Sequence, residues 1–430
     1  MIARFLTPWR RLLTASAISN VGDGIYAVAF PLLGATLTSD PRLIAALGAA
    51  VMIPNLVLSL PAGVLVDRLD RGRLMVAVDF ARVALLFLLV YLTWSGGLNL
   101  LHLFVIAVLL GTGELLFDIA ASAYVPSIVP TKDLPRANGH LATAAEVGNG
   151  VIGPTVGGLL FASAAALPFA VDAVAFGIAS LLILRFAWSK RSNAVDTGAD
   201  TASEEHAPVT GTGFWRDAGY GLSWLWRNKD LRAITMVVAA WNLFGWMPEA
   251  ILVLYVSETL GLGSVAFGLF FAATSVGAVV GGLASGRMTT LLGPGRVLAF
   301  TVVSYSLLML PPAVSSSPWT IGAAFFLQGI PLIAWGSVST SIRQTLVPDE
   351  LLGRVGSVFR LMGAGMAPIG FLLGGFLGDW LGLREVFIVS GAGLLVAYLV
   401  HARALNRLSA DFARRIEAEE RAPATEDRTA

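Results

Sequence analysis

Apolar stretches of about the length that crosses a bilayer, separated by short polar turns, run along most of the chain. A spanning helix needs ~20 mostly apolar residues, and twelve such stretches can be drawn, at 12–36, 43–66, 74–94, 101–125, 137–162, 166–186, 231–257, 264–286, 297–314, 318–342, 355–378 and 385–403. Several are long enough to tilt. The gaps carry turn chemistry, as in Ser39-Asp40-Pro41, Ser95-Gly96-Gly97 and Ser316-Ser317-Pro318. The pattern predicts an all-α integral membrane protein of twelve transmembrane helices.

One long interruption breaks the rhythm. Residues 192–213 read SNAVDTGADTASEEHAPVTGTG, too polar and too poor in aliphatic side chains to build a core, which predicts a flexible linker. In FWRDAGYGLSWLWRNK, directly after it, Arg216, Tyr220, Ser223 and Arg227 share one helical face and Trp215, Leu222 and Trp226 another, the pattern of a helix lying in a membrane interface. An internal repeat sits astride this break. VPTKDLPRANG (129–139) aligns without gaps on VPDELLGRVGS (347–357), at an offset of 218 (348 minus 130) that pairs Pro130 with Pro348 and Arg136 with Arg354. The same offset places Gly63 on Gly281, Leu65 on Leu283 and Gly157 on Gly375. Two related six-helix halves, 1–186 and 231–405, joined by a linker at 187–230 and followed by a charged tail at 406–430, are the expected organisation.

Composition strengthens the membrane reading. Of 430 residues 56% are hydrophobic and 13% charged, against about 25% charged in soluble domains. The 46 glycines suit close packing of membrane helices. A net charge of +1 gives no pull toward nucleic acid. Cysteine is absent, which excludes disulfides, thiolate metal sites and cysteine nucleophiles. The N-terminal MIARFLTPWRRLL is basic and runs into a full span without a small-residue cleavage site, so it reads as part of the first helix rather than a signal peptide.

Charge placement sets the orientation. With the N-terminus in the cytoplasm, the inner segments hold Arg4, Arg10, Arg11, Arg68, Arg71, Arg73, Lys132, Arg136, Arg287, Arg296, Arg343, Arg354 and the tail arginines, while the outer loops hold Arg42 and Arg384. That is the positive-inside bias, and it predicts a multi-pass protein of the inner (cytoplasmic) membrane with both termini cytoplasmic.

The loop after the second span reads AGVLVDRLDRGRL (62–74). It resembles the G-x-L-x-D-R signature of the major facilitator superfamily, with Gly63, Leu65, Asp67, Arg68, Arg71 and Arg73 at the matching places. The D-R-x-D-R form, completed by Asp70, resembles the branch of macrolide-efflux and siderophore-export proteins. NGVIGPTVGG (149–158) resembles the fifth-helix G-P-x-x-G-G signature of proton-driven drug antiporters through Gly153, Pro154, Gly157 and Gly158; Asn149 stands where a glycine is more usual. In the second half Ser285 and Gly286 replace the loop's Asp-Arg pair. The resemblance covers the whole chain and implies alternating access in a secondary transporter. Physically, Gly63 would let two helix ends approach, and Asp67 would accept bonds from a neighbouring helix N-terminus or arginine and latch one state; alternatively these charges only set topology. Pro154 and the glycines would form a hinge, or only pack the fifth helix tightly.

The resemblance further implies that helices 1, 4, 7 and 10 line a central cavity. The embedded polar groups fall on that set: Asn20, Asp23 and Tyr26; Glu114 and Asp118; Asn242, Trp246 and Glu249; Gln328 and Trp335. A charge at bilayer depth costs at least ~2.5 kcal/mol, so it needs a reason. Either these residues form a polar, aromatic-lined pocket whose carboxylates exchange protons as substrate leaves, or each acid pairs locally. Asp79 and Arg82, three apart, are expected to pair with each other, and Glu146 and Asp172 to serve local packing. His102, His140, His206 and His401 are scattered, with no metal-ligand spacing, no H-E-x-x-H and no phosphate loop. No cofactor or metal is expected, and no enzyme. The expected partners are a small-molecule substrate, protons and the lipid bilayer, with the protein acting as a monomer. The leading expectation is proton-coupled export of a small amphipathic compound such as a drug or siderophore; the alternatives are proton-coupled uptake or lipid translocation on the same fold, and a receptor built on a transporter scaffold.

Overall fold

A computed structural model describes residues 2–187, 223, 225–347, 355–356, 359, 362–363 and 365–421. Most of the linker and of the expected interfacial helix, and the second copy of the repeated loop up to Arg354, lie outside the described residues, as do the side chain of Asp67 and the end of the tail.

The described residues contain helix and no strand, in twelve successive antiparallel segments. These are α1 (Ile2–Leu37), α2 (Pro41–Val57 and Ser59–Arg68), α3 (Arg71–Ser95), α4 (Leu100–Tyr124), α5 (Leu134–Ala145, a π-helical stretch Glu146–Ile152, then Gly153–Ser163), α6 (Leu167–Ala187), α7 (Lys229–Leu254 with π-helical Tyr255–Thr259), α8 (Ser264–Leu292), α9 (Pro294–Leu307 and Leu310–Val314), α10 (Pro318–Leu346), α11 (Met366–Leu381) and α12 (Leu383–Arg421). Eight helices among the described residues are long and apolar enough to cross a membrane. α1, which is not among the eight, is continuous but carries Asn20 and Asp23 in its middle, while α2 and α5 are broken into shorter pieces near Pro54 and before Pro154.

Helix starts follow their capping residues. Asp40 accepts from the Arg42 N–H at 2.8 Å, Asp70 from Arg73 at 2.8 Å, Asn99 from His102 at 3.0 Å and Asn228 from Leu231 at 3.1 Å, each satisfying a donor that the first helical turn leaves free. Asp70 of the loop signature is therefore the N-cap of α3. Arg384 donates to the Ala313 and Ser315 carbonyls at 3.2 and 3.0 Å, binding the end of α9 to the start of α12.

The same pairings recur in the two parts of the chain. α1 packs on α5 and α6, α2 on α4, and α3 on α4 and α6; correspondingly α7 packs on α11 and α12, α8 on α10, and α9 on α10 and α12. Between these two bundles the main contacts are α2 with α11 and α5 with α8. They lie toward the end of the molecule that carries Asp40 and Asp379, called here the far end; the termini are at the near end. A Cβ on Gly375 would meet the Pro41 carbonyl at 2.6 Å, and one on Gly158 the Ser264 carbonyl at 2.6 Å. Ser264 Oγ donates to the Gly158 carbonyl at 2.9 Å, and Arg42 reaches Asp379 at 3.4 Å. Toward the near end, Gly63, Gly139 and Gly286 have no described atom within 4 Å of where a Cβ would stand, and among the described residues Ser59–Arg68 of α2 and Leu134–Ala145 of α5 keep their main contacts within their own bundle. The bundles are thus shut at the far end and parted at the near end. Gly63, where an approach of helix ends is expected, has open space around it among the described residues. Trp94, Trp319 and Trp380, 84%, 88% and 72% exposed, ring the far end, where amphipathic aromatic rings anchor membrane helices.

Candidate functional site

Between the bundles lies a cavity of about 350 Å³. The first bundle lines it with Asp23, Tyr26, Arg82, Glu114, Asn149, Asp172 and Phe176, the second with Trp246, Glu249, Phe267, Phe271 and Phe371. A smaller cavity of about 170 Å³ lies within the second bundle, lined by Trp241, Tyr305, Phe325 and Gln328 among others; Trp246 and Glu249 line both.

The two sides differ in chemistry. On the first side Arg82 Nη2 of α3 donates to Asp23 Oδ1 of α1 at 2.7 Å, and the guanidinium lies 3.9 Å from the Phe176 ring centroid on α6. Arg82 is the one cation lining either cavity among the described residues. Around it stand Glu114 and Asp172 on the cavity wall and Asp79, fully buried behind it. Among the described residues neither Asp79 oxygen, nor Asp172 Oδ1, nor the Tyr26 hydroxyl has a hydrogen-bond partner. Buried polar groups are rarely left so, and here four such atoms cluster at one place. On the second side Glu249 is the only charged lining residue among those described. Trp246 leans over Phe371 at 5.6 Å, and Trp241 is sandwiched by Trp335 at 5.1 Å and Tyr305 at 4.6 Å.

Of the residues singled out from the sequence, Asp23, Tyr26, Glu114, Trp246 and Glu249 line the large cavity, and Gln328 the small one. Gln328 also donates to the Leu308 carbonyl at 2.6 Å, where α9 is broken. Asn20 and Asn242 turn back onto their own helices, donating to Ser16 at 2.6 Å and Val238 at 3.0 Å. Asp118 and Trp335 are not among the lining residues of either cavity. The expected Asp79–Arg82 pair does not form: a long guanidinium side chain reaches across the α1–α3–α6 packing to Asp23, and Asp79 is left behind it. Asp172, expected to serve local packing, faces the cavity, because α6 packs directly on α1. Arg82 is detectable in the sequence as a cation embedded within a span of the first half, where several acids are embedded too; Phe176, Tyr305 and Phe371 carry no signal that separates them from ordinary packing.

The fifth-helix signature occupies the seam between bundles. A Cβ on Gly153 would meet Gly24 Cα at 2.6 Å and one on Gly157 the Ile25 carbonyl at 2.8 Å, whereas Gly158 faces Ser264 on α8. One helix therefore uses two glycine faces, one for its own bundle and one for the other. The π-helical stretch just before Pro154 carries Asn149, whose carbonyl lies 2.6 Å from where a Gly24 Cβ would stand. In the loop signature, Arg71 donates to the Ala123 carbonyl at the end of α4 at 2.9 Å, and Arg68 and Arg73 are exposed.

A family model described as transmembrane secretion effector matches residues 5–426. The multidrug efflux pump Tap of Mycobacterium tuberculosis (strain ATCC 25618 / H37Rv) is 24% identical over 415 residues, covering 91% of this chain and 92% of Tap. Macrolide efflux protein A of Streptococcus pyogenes is 23% identical over 411 residues, covering 92% and 95%. Among solved structures, a bacterial homologue of the iron transporter ferroportin in its inward-facing state superposes with a TM-score of 0.72 at 18% identity, over 93% of this chain and 99% of that one, a likeness of fold.

Proposed function

The chain belongs to the transmembrane secretion effector family of the major facilitator superfamily and is a multi-pass membrane transporter of its efflux branch, not an enzyme; from that premise we propose that it exports a small amphipathic organic compound by proton antiport. The observation that carries the proposal is the Asp23–Arg82 pair in the wall of a cavity shared by both bundles, with Glu114 and Asp172 beside it. One guanidinium cannot neutralise three lining carboxylates, so protons are needed to balance the rest. A proton arriving at Asp23 frees Arg82 to engage Glu114 or Asp172. The electrostatics of the α1–α3–α6 wall then differ between the protonated and deprotonated states, as coupling requires.

In this reading the near end is cytoplasmic, the membrane is the inner membrane, and the protein works as a monomer in an inward-open state. The halves are 1–186 and 231–405, and their rocking about the α5–α8 and α2–α11 seams provides alternating access. Gly153, Pro154, Gly157 and Gly158 serve the seam. Gly63, Asp67, Arg68, Arg71 and Arg73 act at the near end when it closes. Asp23 and Glu114 are the primary exchangeable carboxylates, with Asp118 one turn below Glu114, and Glu249 stands apart from them on the substrate side of the cavity. Tyr26, Trp246 and Gln328 shape the cavity, while Asn20, Asn242 and Trp335 support it. The relatives' names point to drugs, macrolides included, as the compounds to try.

The test uses everted membrane vesicles with an acid lumen and a panel that includes a macrolide. Substrate addition should alkalinise the lumen as the compound accumulates. If compounds accumulate with no proton movement, antiport is wrong; if lumenal acid deepens instead, the protein is a symporter working in uptake.

A further inference from the structure

We infer that Glu249 is the anchor for the cationic centre of an organic cation with an aromatic body, a seat separate from the proton-exchanging groups of the first bundle. The inference rests on reading the shared cavity as the substrate site. Its basis is a charge that nothing in the protein answers. Among the described residues Glu249 has no hydrogen bond and no ion pair, yet it is only partly exposed and faces two cavities at once. Asp23, across the large cavity, already has Arg82 at 2.7 Å. On the first wall Arg82 is taken up by Asp23 and the other acids are the proton-exchanging ones, so Glu249 is the carboxylate left to meet a ligand's charge.

The walls around Glu249 fit the same ligand. Trp246 lies one turn before it on α7 and tilts over Phe371; Tyr305 and Trp241 close the small cavity below it. Faces of aromatic rings attract cations, more strongly when water is excluded, and flat rings stack on them. A neutral polar ligand could use the carboxylate only as a hydrogen-bond acceptor and would gain no cation–π attraction from the indole faces. An anion would be repelled by Glu249 and would find Arg82 engaged with Asp23.

The probe pair is tetraphenylphosphonium and tetraphenylborate, nearly equal in size and surface and opposite in fixed charge. Binding is measured by equilibrium dialysis with the full-length protein in lipid nanodiscs, without any gradient. The wild type should bind the phosphonium and not the borate. Glu249→Gln should weaken phosphonium binding about tenfold or more, the scale of removing one partner of a desolvated charge pair. Glu249→Asp should restore most of it, and Glu258→Gln, an exposed acid at the far end of α7, should leave it unchanged. Unfolding temperature and elution volume check that each variant is folded. The inference is overturned if the wild type fails to bind the phosphonium, if it binds the borate as well, or if Glu249→Gln binds like the wild type. Because no proton gradient is used, loss of antiport would leave these results standing. Conversely, proton-driven export of an uncharged compound without phosphonium binding would sink the inference alone.

Discussion

The two walls of the central cavity are built for different work. The first bundle brings Asp23, Glu114, Asp172 and Arg82 to its wall, with Asp79 buried behind, and leaves several of their polar atoms unsatisfied. The second brings one carboxylate, Glu249, into a setting of tryptophan, tyrosine and phenylalanine. The packing scheme that generates the walls is the same in both bundles, helix for helix. The difference therefore lies in side chains and not in fold: a repeated scaffold sets an acid-rich wall with one cation against an aromatic wall with one carboxylate.

The sharpest way to break this comparison is to remove Arg82. Arg82→Met keeps much of the volume but strips the cation from a half-buried acid cluster. Breaking one partner from such a pair costs about 3–5 kcal/mol. A large drop in unfolding temperature in detergent is expected, with transport at background. A near-normal unfolding temperature would mean that the acids are already neutral and that the ion pair contributes little.

The next effect separates the two glycine faces of α5. Gly157→Ala places a methyl against the Ile25 carbonyl within the first bundle and should destabilise it by about 1–3 kcal/mol, the usual cost of overpacking. Gly158→Ala places it against Ser264 on the other bundle. That change should leave each bundle intact and weaken the far-end closure. The chain has no cysteine, so spin labels at Ser39 and Ser316 after cysteine substitution report the far-end distance cleanly. Gly158→Ala should add a longer-distance population that Gly157→Ala lacks.

The smallest effect is expected at the exposed far-end latch. The hydrogen bond from the Arg42 side chain holds the Asp40 carboxyl below the usual carboxylate range. Its contribution is therefore complete above about pH 4 and fades as pH falls through the lowered value. Arg42→Ala, which also removes the 3.4 Å contact to Asp379, should shift the same spin-label distances slightly, as expected of a solvent-exposed pair, and should make them insensitive to that acid range.

Much of this was legible in the sequence, and the reasons are physical. Spans of apolar residues, the repeat at 129–139 and 347–357, and the D-R-x-D-R loop depend on local composition and spacing, which one sequence carries in full. The acids on the first, fourth and seventh spans were visible because an embedded charge is costly wherever it sits. The partners were not. Arg82 was assigned to Asp79 because a spacing of three suggests a contact along one helix, but which acid a long side chain reaches depends on how α1, α3 and α6 pack. Asp172 reads as local packing for another reason: α6 is not one of the helices that the resemblance places around the cavity. The aromatic wall was illegible because Phe371 and Tyr305 look like any other apolar position until their rings are placed around a cavity.

The division of work is tested most directly by proton movement in reconstituted vesicles with single substitutions on each wall. Lumenal pH is followed while an exported compound is added to proteoliposomes of wild type, Asp23→Asn, Glu114→Gln and Glu249→Gln. An uncharged compound, which does not need the cation anchor, keeps the comparison clean. The account predicts that Asp23→Asn and Glu114→Gln lose substrate-dependent proton flux while still passing the compound down its own gradient, and that Glu249→Gln keeps the flux. Flux that survives both first-bundle substitutions and vanishes with Glu249→Gln would contradict it.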